Sequence, residues 1–126
     1  MRSIIHTNQA PAAVGPYSQG VCAGELIFTA GQIALDPATG KLVAGSFEDQ
    51  VMQVLHNLSG VLTAGGGSLE TVVKFTVFVT DLGNFSRLND VFAKYFDQEP
   101  PARSAVEVSA LPLGAQVEIE AIGIRA

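Results

Sequence analysis

The stretch SFEDQVMQVLHNLSGVLTAGGG, Ser46 to Gly67, and the run VVKFTVFV, Val72 to Val79, that comes after it decide the fold. Ser46 with Asp49 has the form of a capping box, in which side chain and backbone of the two residues satisfy N–H groups that the first helical turn leaves open. Beyond it Val51, Val54, Leu55, Leu58, Val61 and Leu62 recur at three- and four-residue spacing, the period of one helix face. The spacing predicts an amphipathic helix that begins at Ser46 and stops at Gly65-Gly66-Gly67, where glycine supplies the left-handed cap conformation. That glycine run is read as a cap and not as a phosphate cradle, because it follows a helix instead of opening one and no Lys-Ser or Lys-Thr comes after it. Val72 to Val79 is rich in β-branched and aromatic residues, so it reads as a largely buried strand with Lys74 and Thr76 on one alternate set.

Outward from this pair, the same two periods sort the rest of the chain. Towards the N-terminus, Val21 to Thr29 surrounds Gly24 and reads as two short strands joined by a turn, and Asp36-Pro37-Ala38-Thr39-Gly40 has its Pro and Gly at turn positions. Towards the C-terminus, Phe85, Leu88, Val91, Phe92, Tyr95 and Phe96 form the apolar stripe of a second helix over Asn84 to Phe96, which Pro100-Pro101 keeps from continuing. Strands over Ser104 to Ala110 and Gln116 to Ile124 follow, linked by a turn around Pro112 and Gly114. With a short first strand near Ser3 to Ile5, the elements make an α+β chain, one mixed β-sheet with two helices on one face. The other face is then left to be buried by association.

Composition agrees. At 126 residues, with no Pro/Gly/Ser tract or charge block to divide it, residues 1–126 form one domain. The hydrophobic set is 48% of residues and charged residues only 15%, against about 25% in an average domain. So much apolar material in so small a domain predicts a homo-oligomer. A net charge of −5, with seven scattered basic residues, disfavours nucleic acid, whose binding needs clustered Lys and Arg. Cys22 is the only cysteine, so no internal disulfide forms, and Met1 to Ala10 lacks the apolar core of a signal peptide. No stretch approaches the roughly 20 apolar residues of a membrane span, and the cytoplasm is the expected compartment.

Few residues are candidates for chemistry. His6, Cys22 and His56 are far apart and match no metal-ligand spacing, so no metal is expected, and His56 reads as an exposed or edge-of-core residue of the first helix. No Gly-x-Ser-x-Gly nucleophile elbow occurs. Arg103, just after Pro100-Pro101-Ala102 and at the mouth of an apolar strand, offers a planar fork of donors for a carboxylate. Local sequence leaves a substrate clamp and a structural salt bridge equally open. Glu118 and Glu120 alternate with Val117, Ile119 and Ala121, so both carboxylates lie on one face of the last strand, where surface alternation explains them as readily as general-base work on a water. Tyr17, in Gly15-Pro16-Tyr17-Ser18-Gln19-Gly20, would ordinarily pack.

Taken in order, Pro-Ala-Ala-x-Gly-Pro-Tyr-Ser-Gln-Gly near the start, Gly31-Gln32-Ile33, Pro101-Ala102-Arg103-Ser104, Leu111-Pro112 and Val117-Glu118-Ile119 resemble the reactive intermediate deaminase (YjgF/RidA) family over nearly the whole chain. The resemblance implies a chorismate-mutase-like fold assembled as a homotrimer with pockets between subunits. It implies cofactor-free hydrolysis of 2-aminoacrylate or 2-iminobutanoate to a keto acid and ammonia. Carried over by motif, Arg103 would grip the substrate carboxylate and Glu118 would position the attacking water. Tyr17, Gly31 and Asn89 would line the pocket, with the backbone of Gly31 or Ala105 as a further donor. An imine carbon is already electrophilic, so orientation, a water and a proton transfer suffice.

Two positions depart from the family pattern: Ala30 stands where many members have serine, and Ala105 where many have cysteine. The pocket wall therefore lacks a hydroxyl and a thiol, which leaves the substrate range open. Two other readings use the same cleft: a non-catalytic sensor of small carboxylates, and a deaminase acting on the larger 2-aminomuconate. A ribonuclease, an activity also attributed to relatives, ranks last because the chain is acidic and has no basic aromatic surface.

Overall fold

The computed structural model describes residues 1–126. Six strands form one sheet: β1 (Arg2–Ile5), β2 (Gly20–Ala23), β3 (Leu26–Thr29), β4 (Val72–Val79), β5 (Ala102–Glu107) and β6 (Val117–Ile124), in the order β1-β2-β3-β6-β4-β5. Every pairing is antiparallel except that of β4 with β5, so the sheet is mixed. The helices are α1 (Phe47–Ala64) and α2 (Phe85–Tyr95). No helix is long and apolar enough to cross a membrane.

The capping box at Ser46 forms as expected. Ser46 Oγ accepts from the Asp49 N–H at 3.2 Å and Asp49 Oδ2 accepts from the Ser46 N–H at 3.0 Å. At the other end of α1 only Gly66, with φ +95°, takes the left-handed conformation, while its N–H and that of Gly67 bond to the Thr63 and Leu62 carbonyls. The turn at Asp36 closes with the Gly40 N–H on the Asp36 carbonyl at 2.8 Å.

One strand differs from its sequence reading. The strand expected over Ser104 to Ala110 runs from Ala102 to Glu107 instead, two residues earlier at its start. Its limits are set by its neighbour: β5 lies parallel to β4 with Lys74 beside Ala102 and Val79 beside Glu107, and the chain leaves β4 at Val79. After the Val108 N–H has bonded to the Val79 carbonyl, no partner remains for residues 109 and 110. Arg103 is thus inside the strand, not at its mouth.

Register assigns every strand residue to a face. Phe75, Val77 and Val79 of β4 stand beside Ala121, Ile119 and Val117 of β6, all buried under the helices. Phe75 meets Phe92 of α2 edge to face with ring centroids 5.4 Å apart. Twelve large side chains less than 2% exposed, seven of them on α1 between Val51 and Leu62 or at Phe47, build this core. Arg87 of α2 bonds both carboxylate oxygens of Glu48 on α1, tying the helices side by side. Both helices therefore cover one face. On the other, Leu26, Phe28, Val106 and Ile124 are 40–45% exposed, an apolar stripe that one chain leaves bare.

Candidate active site

β6 carries Glu118 on the bare face, beside Phe78 of β4 and with Glu120 two residues on. The loop after β3 runs back along it, Gln32 exchanging two backbone hydrogen bonds with Ile119 at 2.8 and 3.1 Å. That pairing presses Gly31 onto the Glu118 side chain. A Cβ added at Gly31 would overlap Glu118 Oε2 and lie 2.9 Å from its Cδ, so the site needs glycine here for space, its backbone being ordinary. Gly31→Ala is expected to cost about 1–3 kcal/mol, the usual effect of overpacking, read as a lower denaturation midpoint. It should also push the Glu118 carboxylate out of place.

Glu118 is the one charged group in a cavity of about 630 Å³, within the roughly 300–1,000 Å³ of small-molecule sites. Three segments wall it: Pro11 to Gln19, which brings Tyr17; Ala30 to Leu35, which brings Gly31 and Gln32; and Pro112-Leu113. Tyr17 is 52% exposed and turns its hydroxyl to the Val14 N–H at 3.4 Å, so it lines the cavity instead of packing in the core. Burial first, and the Glu120 carboxylate second, push the Glu118 pKa above the usual carboxylate range. A base held in that direction moves towards neutral pH, where proton transfer to and from it is easier. No cation lines this cavity.

Arg103 lies on the opposite face. Beside Phe75 on the edge strand, it points under α2, donates to Asn89 Oδ1 at 2.7 Å, and sits 5.4 and 5.0 Å from the ring centroids of Phe85 and Phe92. Burial lowers its pKa somewhat, and it remains a cation. The only ion pair in the chain is Arg87 with Glu48, so Arg103 has no carboxylate partner and the salt-bridge reading is not met within one chain. Ala105 shares its face and packs at the edge of the core. Because the Val108 N–H bonds to β4 and bonding alternates along a strand, the Ala105 N–H points to the sheet's free edge, next to the Arg103 side.

One chain thus divides the expected residues into two sets. Tyr17, Gly31 and Glu118 come together with Ala30 around the cavity, and Arg103, Asn89 and Ala105 at the β5 edge under α2. Sequence reading missed Gln19 and Gln32, which also line the cavity, and the fully buried Asn57 behind it. Asn57 had a visible signal: a polar residue inside the apolar stripe of α1, next to Leu58.

Residues 7–125 match the family model described as Endoribonuclease L-PSP. The 2-iminobutanoate/2-iminopropanoate deaminase of Bos taurus is 46% identical over 125 residues, 99% of this chain and 91% of that protein. Among solved structures, RidA from the Antarctic bacterium Psychrobacter sp. superposes with a TM-score of 0.93 at 47% identity over 97% of this chain and 98% of that one. E. coli TdcF with bound serine gives 0.93 at 42% identity over 98% and 99%.

Proposed function

The chain belongs to the Endoribonuclease L-PSP family, the family of the RutC and RidA proteins, and from that premise we propose that it hydrolyses 2-enamine and 2-imine acids such as 2-iminobutanoate to keto acids and ammonia. The observation that carries this reading is the mismatch of charges: a cavity whose one charged group is a carboxylate, and a guanidinium on the far face with no carboxylate partner. Each lacks what the other supplies. An anionic substrate would be repelled by the cavity alone, whereas a second copy offering Arg103 and the Ala105 N–H at its rim would complete it. The bare apolar face gives the copies a surface to share. That TdcF holds serine supports a ligand bearing a carboxylate beside a nitrogen-substituted carbon.

In the proposed reaction, Arg103 of one subunit holds the substrate carboxylate bidentately. Glu118 of another takes a proton from water as the water oxygen bonds to the imine carbon, giving a carbinolamine. With the imine entering protonated, the proton on Glu118 then passes to the carbinolamine nitrogen; as the C–N bond breaks, the hydroxyl gives its proton back to Glu118 and becomes the keto oxygen, and ammonia leaves. Water is the only other reactant, and neither metal nor cofactor enters the balance. Ala30 and Ala105 replace larger or more polar groups on the wall, which favours a side chain held by apolar contact. Cys22 is buried and free, in keeping with the cytoplasm as the proposed compartment.

Two measurements test the proposal. A dehydratase that generates 2-iminobutanoate, with and without this protein, should show faster loss of the imine in its presence; no acceleration at any concentration would move the assignment to a carboxylate sensor. Size-exclusion chromatography with light scattering should give three times the 13.1 kDa of one chain. A monomer at micromolar concentration would leave Arg103 and Glu118 unable to meet.

A further inference from the structure

We propose that Gln19, Gln50 and Asn57 are positioning residues, each clamping one wall of the cavity to the core. Only four polar side chains in the chain are buried, and all four are amides: these three and Gln32. The three hold different segments. Gln19 accepts from the Thr7 N–H at 2.8 Å and donates to the carbonyls of Thr7, Ala10 and Pro11 at 3.0, 3.3 and 2.8 Å, fixing the strap that ends in Pro11. Asn57, wholly buried in α1, donates to the Ile33 and Leu35 carbonyls at 3.3 and 2.9 Å and accepts from Gln53 at 2.9 Å. Gln50, two turns nearer the N-terminus on the same face of α1, accepts from the Gln116 N–H at 3.0 Å and so anchors the segment that carries Pro112 and Leu113 into Glu118.

The physical argument is one of accounting for backbone groups. Apart from Gln32, which pairs with Ile119 of β6, these walls turn away from the sheet, so their inward N–H and C=O groups find no strand partner and need another. An amide answers both kinds, having donors and an acceptor on one short planar group. Being neutral, it does so without a second charge behind Glu118. Apolar residues of similar size would suit the helix face better but would leave the Leu35 carbonyl and the Gln116 N–H unpaired, while the Ile33 carbonyl would keep only the Leu35 N–H. Loops away from the cavity are held otherwise: Asp81 caps its own turn through the Gly83 N–H, and Ser68 does the same through Glu70. The long-range amide clamps are confined to the cavity walls.

This inference rests on the deaminase reading only for its activity arm. Asn57→Leu, Gln50→Met and Gln50→Glu would be compared with Leu62→Ala, a core truncation at the far end of α1. Hydrogen exchange by mass spectrometry and kcat/KM for 2-iminobutanoate are read well below each melting temperature. Asn57→Leu should speed exchange at least about tenfold in residues 30–36, and Gln50→Met in residues 111–117, with the rest of the sheet unchanged. Both should lose about tenfold or more in kcat/KM, since small misplacements of a wall carry that penalty. Gln50→Glu, which keeps the acceptor for the Gln116 N–H but adds a charge behind Glu118, should leave exchange in residues 111–117 near wild type while lowering kcat/KM, and Leu62→Ala should keep kcat/KM within about twofold despite its lower melting temperature. Wall segments exchanging as in wild type, or amide variants no worse than Leu62→Ala, would overturn the proposal. A wild type without turnover would end the deaminase reading instead, and the exchange arm would still decide this one. If Asn57→Leu does not fold, the Gln50 pair decides it.

Discussion

Replacing Arg103 by alanine is expected to lower kcat/KM for 2-iminobutanoate by about 10²–10⁴-fold. A bidentate grip on a carboxylate comprises two charge-assisted hydrogen bonds at about 1.5–3 kcal/mol each, and every 1.36 kcal/mol is about tenfold in rate. The carboxylate carries the same charge in the bound substrate and in the transition state, so most of the loss should appear as a raised KM. The fold should tolerate the change, because Arg103 leaves behind no buried carboxylate; its partners are the Asn89 amide and two aromatic rings. Arg103→Lys should recover little, since an ammonium lacks the planar fork and the stacking on Phe85 and Phe92. Steady-state kinetics on the three proteins checks this, and equal kcat/KM for wild type and Arg103→Ala removes the proposed role.

Glu118→Gln is expected to leave KM near wild type and lower kcat by about 10²–10⁴-fold, the range for removing a positioned general base. It separates the two roles: binding goes with Arg103, turnover with Glu118. In the wild type the acid limb of the kcat profile should fall at a pH above the usual range for glutamate, because burial and then Glu120 raise the Glu118 pKa. The variant should lack that limb.

Stability carries the same sign. With the folded pKa raised, the folded chain binds more protons than the unfolded one between the two pKa values, so stability falls as pH rises through that window. Near neutral pH the half-buried carboxylate is therefore a burden on the fold, and Glu118→Gln should melt at a higher temperature than wild type there. An unchanged melting temperature together with unchanged kcat would contradict both the burial and the catalytic role.

The two variants together test whether the site is shared. Refolding Arg103→Ala with Glu118→Gln creates some interfaces that retain both intact residues, and activity should return in part. A site made within one chain could not recover in that way.

Much of the architecture follows from local pattern. The Ser46 capping box, the α1 stripe and the Val72–Val79 strand depend on contacts within a few residues, which sequence displays directly. The limits of β5 do not, because they depend on how far β4 extends beside it. The buried amides were half visible: Gln50 and Asn57 interrupt an apolar stripe, yet which backbone groups they serve is decided by loops distant in sequence.

What the sequence by itself determined is the α+β class, the family, and parity within each strand, so that Glu118 and Glu120 had to share a face. What only the tertiary structure decided is parity between strands. A shift of one residue in register moves every side chain of a strand to the other face, and no local pattern records which register holds. Here β5 sets Arg103 beside Phe75 under the helices, while β6 sets Glu118 beside Phe78 on the bare side. Two residues that the motifs assign to one site are thereby divided by the thickness of a sheet, and the proposed site needs a second copy of the chain to bring them together.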